Sequence, residues 1–205
     1  EKDLELTRSL GLDAASFKLI HFGSMGIANN LLYVLKAAAI LHERGETGFE
    51  FVFLGEGATK PACVAFRRER GLHNVHFFDR VPMKETSEIV NLCDASIVPF
   101  KNIPILATNS PNKLFDSLSA AKPIIVNSRG WTKDMVEDHG CGAFVDPERP
   151  GDLADLLITW RDDPENVHRM GENGRRQAVR EFEVKVVAWR WWEVFQKTAN
   201  QKHHE

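Results

Sequence analysis

Six short apolar runs, at 17–22, 49–54, 75–78, 95–99, 123–127 and 142–145, punctuate the chain. They are rich in Val, Ile and Phe and nearly continuous rather than alternating, the pattern of strands buried on both faces of a parallel sheet. Between them the period changes. Segments 30–44, 59–70, 84–92, 112–121 and 132–139 are amphipathic at helical spacing. In 30–44 the predicted buried stripe is Leu31, Leu32, Val34, Leu35, Ala38 and Leu41. Strand and helix in alternation predict a doubly wound, Rossmann-like α/β sheet with right-handed crossovers and strand order 3-2-1-4-5-6. After the sixth strand the pattern is wholly helical: 150–160, 164–182 and 183–198 follow one another without a strand. With no repeat and no convincing linker after residue 16, the chain reads as one domain over 1–205, with 1–16 as a lead-in.

Composition narrows the function classes. A length of 205 residues and a 43% apolar fraction suit one globular domain with a substantial core. A formal charge of −3 gives no general attraction to nucleic acid, so no nucleic-acid partner is expected. The three cysteines, Cys63, Cys93 and Cys141, are odd in number and widely spaced. They suggest buried thiols in a reducing, cytoplasmic setting rather than a disulfide frame. No Cys/His set has zinc spacing, including the neighbours His139 and Cys141, and no D-x-D pair occurs, so no metal is expected. No run reaches the roughly 18 apolar residues of a membrane span. The opening EKDLELTRSLGLD is charged and lacks an initiator Met; it reads as a cut from a longer sequence, not as a signal peptide.

Two stretches carry candidate chemistry. The first strand runs into HFGSMGIANN, where Gly23 and Gly26 let backbone approach a ligand and the next helix points its first N–H groups back at the turn. The spacing is G-x-x-G, not G-x-G-x-x-G, and the second strand ends FLGEG without the acid that an NAD ribose needs. A phosphate site and a turn packed for its own sake both fit. The second stretch is FKNIPILATNSPNKLFDSLSAAKP, a long irregular segment leading into a helix. Pro111 suits a first helical turn, Asn109 or Ser110 a cap, and Lys113 adds a cation to the positive end of the dipole. Asp116 shares the face of Lys113 and can accept a ribose diol. The bland alternative is an exposed i,i+3 ion pair, worth about 0.2–0.5 kcal/mol. His21 inside the first strand reads as a packed histidine, and Arg175, Arg176 and Arg180 as a solvated face. Trp189, Trp192 and Phe195 recur at helical spacing and suit a core, whereas Trp191 points elsewhere.

FKLIHFGSMG–NLLYVLKAAAIL, FVFLGEG, NVHFFDRVPMKE, CDASIVPF, SPNKLFDSLSAAKPIIV, GCGAFVDPERPGDLADLL and NVHRMGENGRRQAVREF follow one another along the chain. In that order they resemble the family-4 retaining glycosyltransferases of the GT-B fold, over residues 8 to 183 of the C-terminal, donor-binding half. The S-P-N-K-L-F-D block and the G-S-x-G turn look most like the bacterial branch that builds O-antigen, capsule and other surface polysaccharides. The resemblance implies a metal-independent transfer of a hexosyl or acetamidohexosyl group from a nucleoside-diphosphate sugar, with UDP as carrier. Gly23, Ser24, Gly26 and Asn29 would lie at the diphosphate, Arg80 and Val81 at the nucleobase, and Ser110, Pro111, Asn112, Lys113 and Leu114 at the phosphates. Asp116 falls on the second Glu of the family's Glu, seven residues, Glu motif, and Thr108 on the first, a departure at the donor-sugar contact. Lys113 and Asp116 are thus the candidate catalytic residues. The resemblance further implies an absent N-terminal acceptor domain, a parent peripheral to the inner membrane face, and a C-terminal helix, 183–200, that crosses to that domain. Its aromatic surface would then be free for self-association. A UDP-sugar epimerase half and a non-catalytic nucleotide-binding module are the rival readings. The first needs catalytic carboxylates and histidines at the strand ends, and the absent G-x-G-x-x-G argues against a dinucleotide enzyme.

Overall fold

The computed structural model describes residues 3–201, with side chains described through residue 198. Strands β1 (Phe17–Phe22), β2 (Phe49–Leu54), β3 (Val75–Phe78), β4 (Ala95–Val98), β5 (Ile124–Val126) and β6 (Gly142–Phe144) form one parallel sheet. Their order is β3-β2-β1-β4-β5-β6, as the pattern predicts. The first three strand ranges coincide with the apolar runs; β4, β5 and β6 are shorter by a residue or two. At Pro99 and Pro123 the reason is physical, because a proline has no N–H to give to the ladder. Every residue of β1, β2, β4 and β5 is buried, which is why these runs do not alternate.

Helices α2 (Leu31–Glu43), α3 (Lys60–Glu69), α4 (Met83–Leu92), α5 (Asn112–Ser119) and α6 (Trp131–Asp138) connect successive strands. The chain then continues as α7 (Pro150–Asp162), α8 (Pro164–Gln177), a π turn (Ala178–Phe182) and α9 (Val184–Gln201). Successive strand residues feed opposite faces. Leu19, Phe51 and Phe53 pack with α2 and α7, whereas Ile20, Val52 and Leu54 pack with Ile89 and Val90 of α4. The buried stripe of α2 is rotated from the expected one: Leu32 is exposed, and Tyr33 is buried with its hydroxyl donating to the Arg149 carbonyl at 3.3 Å.

Three elements depart from expectation. The lead-in contains α1 (Leu4–Ser9), capped by Asp3, whose carboxylate accepts from the Leu6 amide at 2.9 Å. The irregular segment after β4 contains a 3-10 turn, Pro104–Thr108. In α9, Trp189, Trp191, Trp192 and Phe195 are all 55–62% exposed, so the aromatic periodicity marks no core. The helix is tied back by Arg190, which pairs with the Glu181 carboxylate and donates to its carbonyl at 3.2 Å.

The sheet also places the cleft. β1 pairs with β2 along its whole length, but with β4 only at Leu19↔Ala95 and Ile20↔Ser96. Toward their carboxyl ends β1 and β4 therefore part, at the point where strand order reverses and doubly wound folds leave a crevice.

Candidate functional site

Two cavities open at this crevice. The larger, about 820 Å³, is lined among others by Gly23, Ser24, Glu56, Arg80, Val81, Met83, Asn91 and Asp116. The smaller, about 400 Å³, is lined by Gly23, Ser24, Asn29, Asn109, Pro111, Asn112, Lys113 and Asp116 together with Phe22, Ala28 and Phe100. Gly23, Ser24 and Asp116 border both, so the two form one bent cleft with Asp116 at the bend.

The floor is the turn after β1. Gly23 has φ +100, a left-handed conformation that favours glycine, and a Cβ there would lie 3.7 Å from Lys113 Cε. Asn29 is buried and its Nδ2 donates to the Ser24 carbonyl at 2.8 Å; its amide clamps the turn. Beneath lies FLGEG. A Cβ on Gly55 would sit 2.0 Å from the Gly23 oxygen, and one on Gly57 2.4 Å from the Met25 oxygen. Those glycines exist so that two backbones can touch, which sequence alone did not distinguish from ligand contact.

Helix α5 forms one wall. Its N-cap is Pro111 itself, with no side-chain cap, so neither Asn109 nor Ser110 caps it as expected. The Asn112 and Lys113 N–H groups have no intrahelical carbonyl to bind, and both residues line the smaller cavity at the positive end of the dipole. Lys113 enters the same space. Burial lowers its ammonium pKa to about 8. Among the described residues it makes no ion pair with Asp116, so the exposed-pair alternative fails; its one hydrogen-bond partner is His21 Nε2 at 3.4 Å. Asp116, exposed at the bend, has its carboxyl raised by desolvation.

The remaining wall is made by the loops after β2 and β3. Lys60 Nζ bonds Glu56 Oε1 and Asp79 Oδ1, each at 2.6 Å, and the carbonyls of Gly55 at 3.1 Å and Phe78 at 3.4 Å. Burial pulls this lysine down, and the Asp79 and Glu56 bonds more than offset it, leaving its pKa raised. It fastens the two loops that carry Glu56, Arg80 and Val81 to the larger cavity.

Four expected site residues line neither cavity. Leu114 is a core side chain, fully buried. Thr108 lies in the 3-10 turn with its hydroxyl donating to the Ile105 carbonyl at 2.9 Å. Ser110 is exposed beside the cleft, and Gly26 stands behind Ser24. Conversely, sequence reading did not single out Glu56, Lys60, Met83 and Asn91, whereas His21, read as packed, is buried and lines neither cavity. Only the lysine in G-E-G-A-T-K gave a signal, a cation six residues beyond the end of a strand. Among the described residues no three His, Cys, Asp or Glu side chains gather as a metal site.

Fold and cleft position define the class first: a Rossmann-like, doubly wound α/β unit of the GT-B type. The family follows. The chain belongs to the family described as Glycosyl transferases group 1, which it matches over residues 3–177. Among curated proteins it is 24% identical over 172 residues to the alpha-D-kanosaminyltransferase of Streptomyces kanamyceticus, covering 82% of this chain and 42% of that one. It is 29% identical over 96 residues to the MMP alpha-(1->4)-mannosyltransferase of Mycolicibacterium hassiacum, covering 46% of this chain and 23% of that one. Among solved structures, the sucrose-phosphate synthase of Thermosynechococcus elongatus superposes with a TM-score of 0.81 at 16% identity, over 98% of this chain and 50% of that one. Anabaena HepE, in complex with UDP and glucose, superposes with 0.78 at 16% identity, over 94% of this chain and 51% of that one. The chain thus spans about half or less of the length of these relatives.

Proposed function

We propose that this chain is the donor-binding half of a family-4 retaining glycosyltransferase, which moves a hexosyl or acetamidohexosyl group from a UDP-sugar to a saccharide or lipid-linked acceptor. One observation carries the reading: the Lys113 ammonium and the amino end of α5 face a small cavity that joins a larger one at Asp116. A diphosphate fits the first, a base the second, and a ribose diol the carboxylate between them. UDP in the HepE complex supports the choice of nucleotide. As the bond to the sugar breaks, the diphosphate gains charge. Donors fixed beforehand in a partly dry site hold that charge more tightly in the transition state than in the ground state. Lys113, the α5 amides and the Ser24 hydroxyl supply them without a metal.

The acceptor site belongs, on this reading, to an N-terminal half, and the transfer serves bacterial surface-polysaccharide assembly at the cytoplasmic face of the membrane. The exposed aromatic face of α9 meets that half in the parent and a second copy in the isolated chain. Alone, the chain binds donor and transfers little.

Calorimetry with UDP, GDP, uridine and NAD tests the assignment. UDP is expected to bind most tightly, and tighter binding of NAD than of either diphosphate overturns it. Lys113→Ala should weaken UDP by about 1.5–3 kcal/mol, the strength of a charge-assisted bond, and leave uridine nearly unchanged. Asp116→Asn should weaken both.

A further inference from the structure

The donor-binding reading leaves unused the imidazole of His21, which lies behind the smaller cavity against Lys113. It is 1% exposed, near the end of β1, where that strand has parted from β4. Phe53 lies against it, ring centroids 6.4 Å apart. Nε2 faces two neighbours of opposite need, the Ser24 carbonyl at 3.3 Å and the Lys113 ammonium at 3.4 Å. A lone pair serves the ammonium and an N–H the carbonyl; one nitrogen cannot do both. The carbonyl already receives the Asn29 amide at 2.8 Å, whereas among the described residues the ammonium has no acceptor but this nitrogen.

We infer that His21 is a positioning residue for Lys113: its neutral Nε2 accepts one Nζ–H and aims the other two into the smaller cavity. This rests on the reading of that cavity as a diphosphate site. The proton of the ring then sits on Nδ1. That atom is buried and has no hydrogen-bond partner among the described residues. Desolvation, and then the charge of Lys113, lower the histidine pKa to about 3, so the lone pair stays available at any ordinary pH. The other ionisable group lining the smaller cavity is Asp116; Glu56 and Arg80 stand in the larger one. Burial already brings Lys113 to about 8, so losing its sole acceptor should move it lower and leave less cation to meet a phosphate.

Calorimetric titrations of UDP and uridine across pH 6.5–9 test this. His21→Phe is expected to weaken UDP about tenfold at pH 7.5, the value of one hydrogen bond to a charged group. It should bring the alkaline loss of UDP affinity to lower pH and spare uridine. His21→Gln, which restores an acceptor oxygen, should recover most of both effects. In a Lys113→Ala background, His21→Phe should cost UDP nothing more. Equal losses for UDP and uridine, an unmoved alkaline limb, or additive losses in the double variant would overturn the inference while leaving the donor site standing. No effect of Lys113→Ala on UDP would overturn the donor reading itself. In case His21→Phe does not fold, nitrogen NMR of the unaltered protein decides: an Nδ1–H tautomer is expected, and an Nε2–H tautomer refutes the positioning role.

Discussion

Replacing Lys113 with methionine should make the empty protein more stable. The ammonium is half-buried, its one hydrogen-bond partner among the described residues is a neutral ring nitrogen, and burial lowers its pKa from 10.5 to about 8. The sign follows from proton counting. Between pH 8 and 10.5 the unfolded chain holds the proton that the folded chain has released, so this group adds stability as pH rises through that window. Below pH 8 its charged form carries the whole penalty. Each pH unit is worth 1.36 kcal/mol, which bounds the cost near ~3 kcal/mol, and access to water reduces it to about 1–3 kcal/mol. Methionine keeps the stem and removes the charge but forfeits the bond to His21. A net gain of about 1–2 kcal/mol at pH 7 remains, or roughly 2–8 °C in Tm for a chain of this size. Urea unfolding of both proteins at intervals from pH 6.5 to 10.5 isolates the lysine in the difference between the curves. That difference should be largest below pH 8 and shrink towards zero by pH 10.5, while a fixed concentration of UDP should stabilise the unaltered protein more than the variant. A less stable Lys113→Met, or a difference flat across the range, would refute the reasoning.

Other expectations concern the walls of the cleft and the terminal helix. Gly55→Ala places a methyl 2.0 Å from the Gly23 oxygen at φ +139, backbone against backbone. It should cost about 2–4 kcal/mol in urea unfolding and weaken UDP as the turn shifts; an unchanged midpoint would contradict the contact. Lys60→Met releases the loops after β2 and β3, and calorimetry should find uridine and UDP weakened alike by about 1–2 kcal/mol. A loss confined to UDP would speak against a role at the base. Sedimentation should show concentration-dependent association of the full chain and none after truncation at Glu183; a monomer throughout would mean that no second copy covers α9.

The parts of this molecule legible in its sequence depend on local pattern. Runs dominated by apolar residues gave β1, β2 and β3 to the residue: β1 and β2 are buried throughout, Lys18, His21 and Glu50 included, and β3 is partly buried at the sheet edge. Lys113 and Asp116 were readable together, since residues three apart on one helix share a face. What stayed hidden depends on distant partners. His21 looks like any packed histidine until Lys113, 92 residues on, is brought beside it. Gly55 and Gly57 could not be told from ligand-binding glycines before the turn they support was in place. The tryptophans of α9 kept a core-like period although no core meets them, because periodicity reports a face and not what covers it.

Lys113 and Asp116 ride on the same rigid helix, with no hinge between them. Three residues of α-helix advance about 4.5 Å along the axis. A ligand gripped by both must therefore carry its anion and its diol at a pitch cut into the protein, as if measured against a ruler. On the donor reading, the loop that holds Arg80 and Val81 can be rewritten to accept another base, and the ruler will not notice. Lengthening or shortening the stretch between ribose and charge is a different matter. No loop substitution compensates for it, because the two marks move only if the helix does.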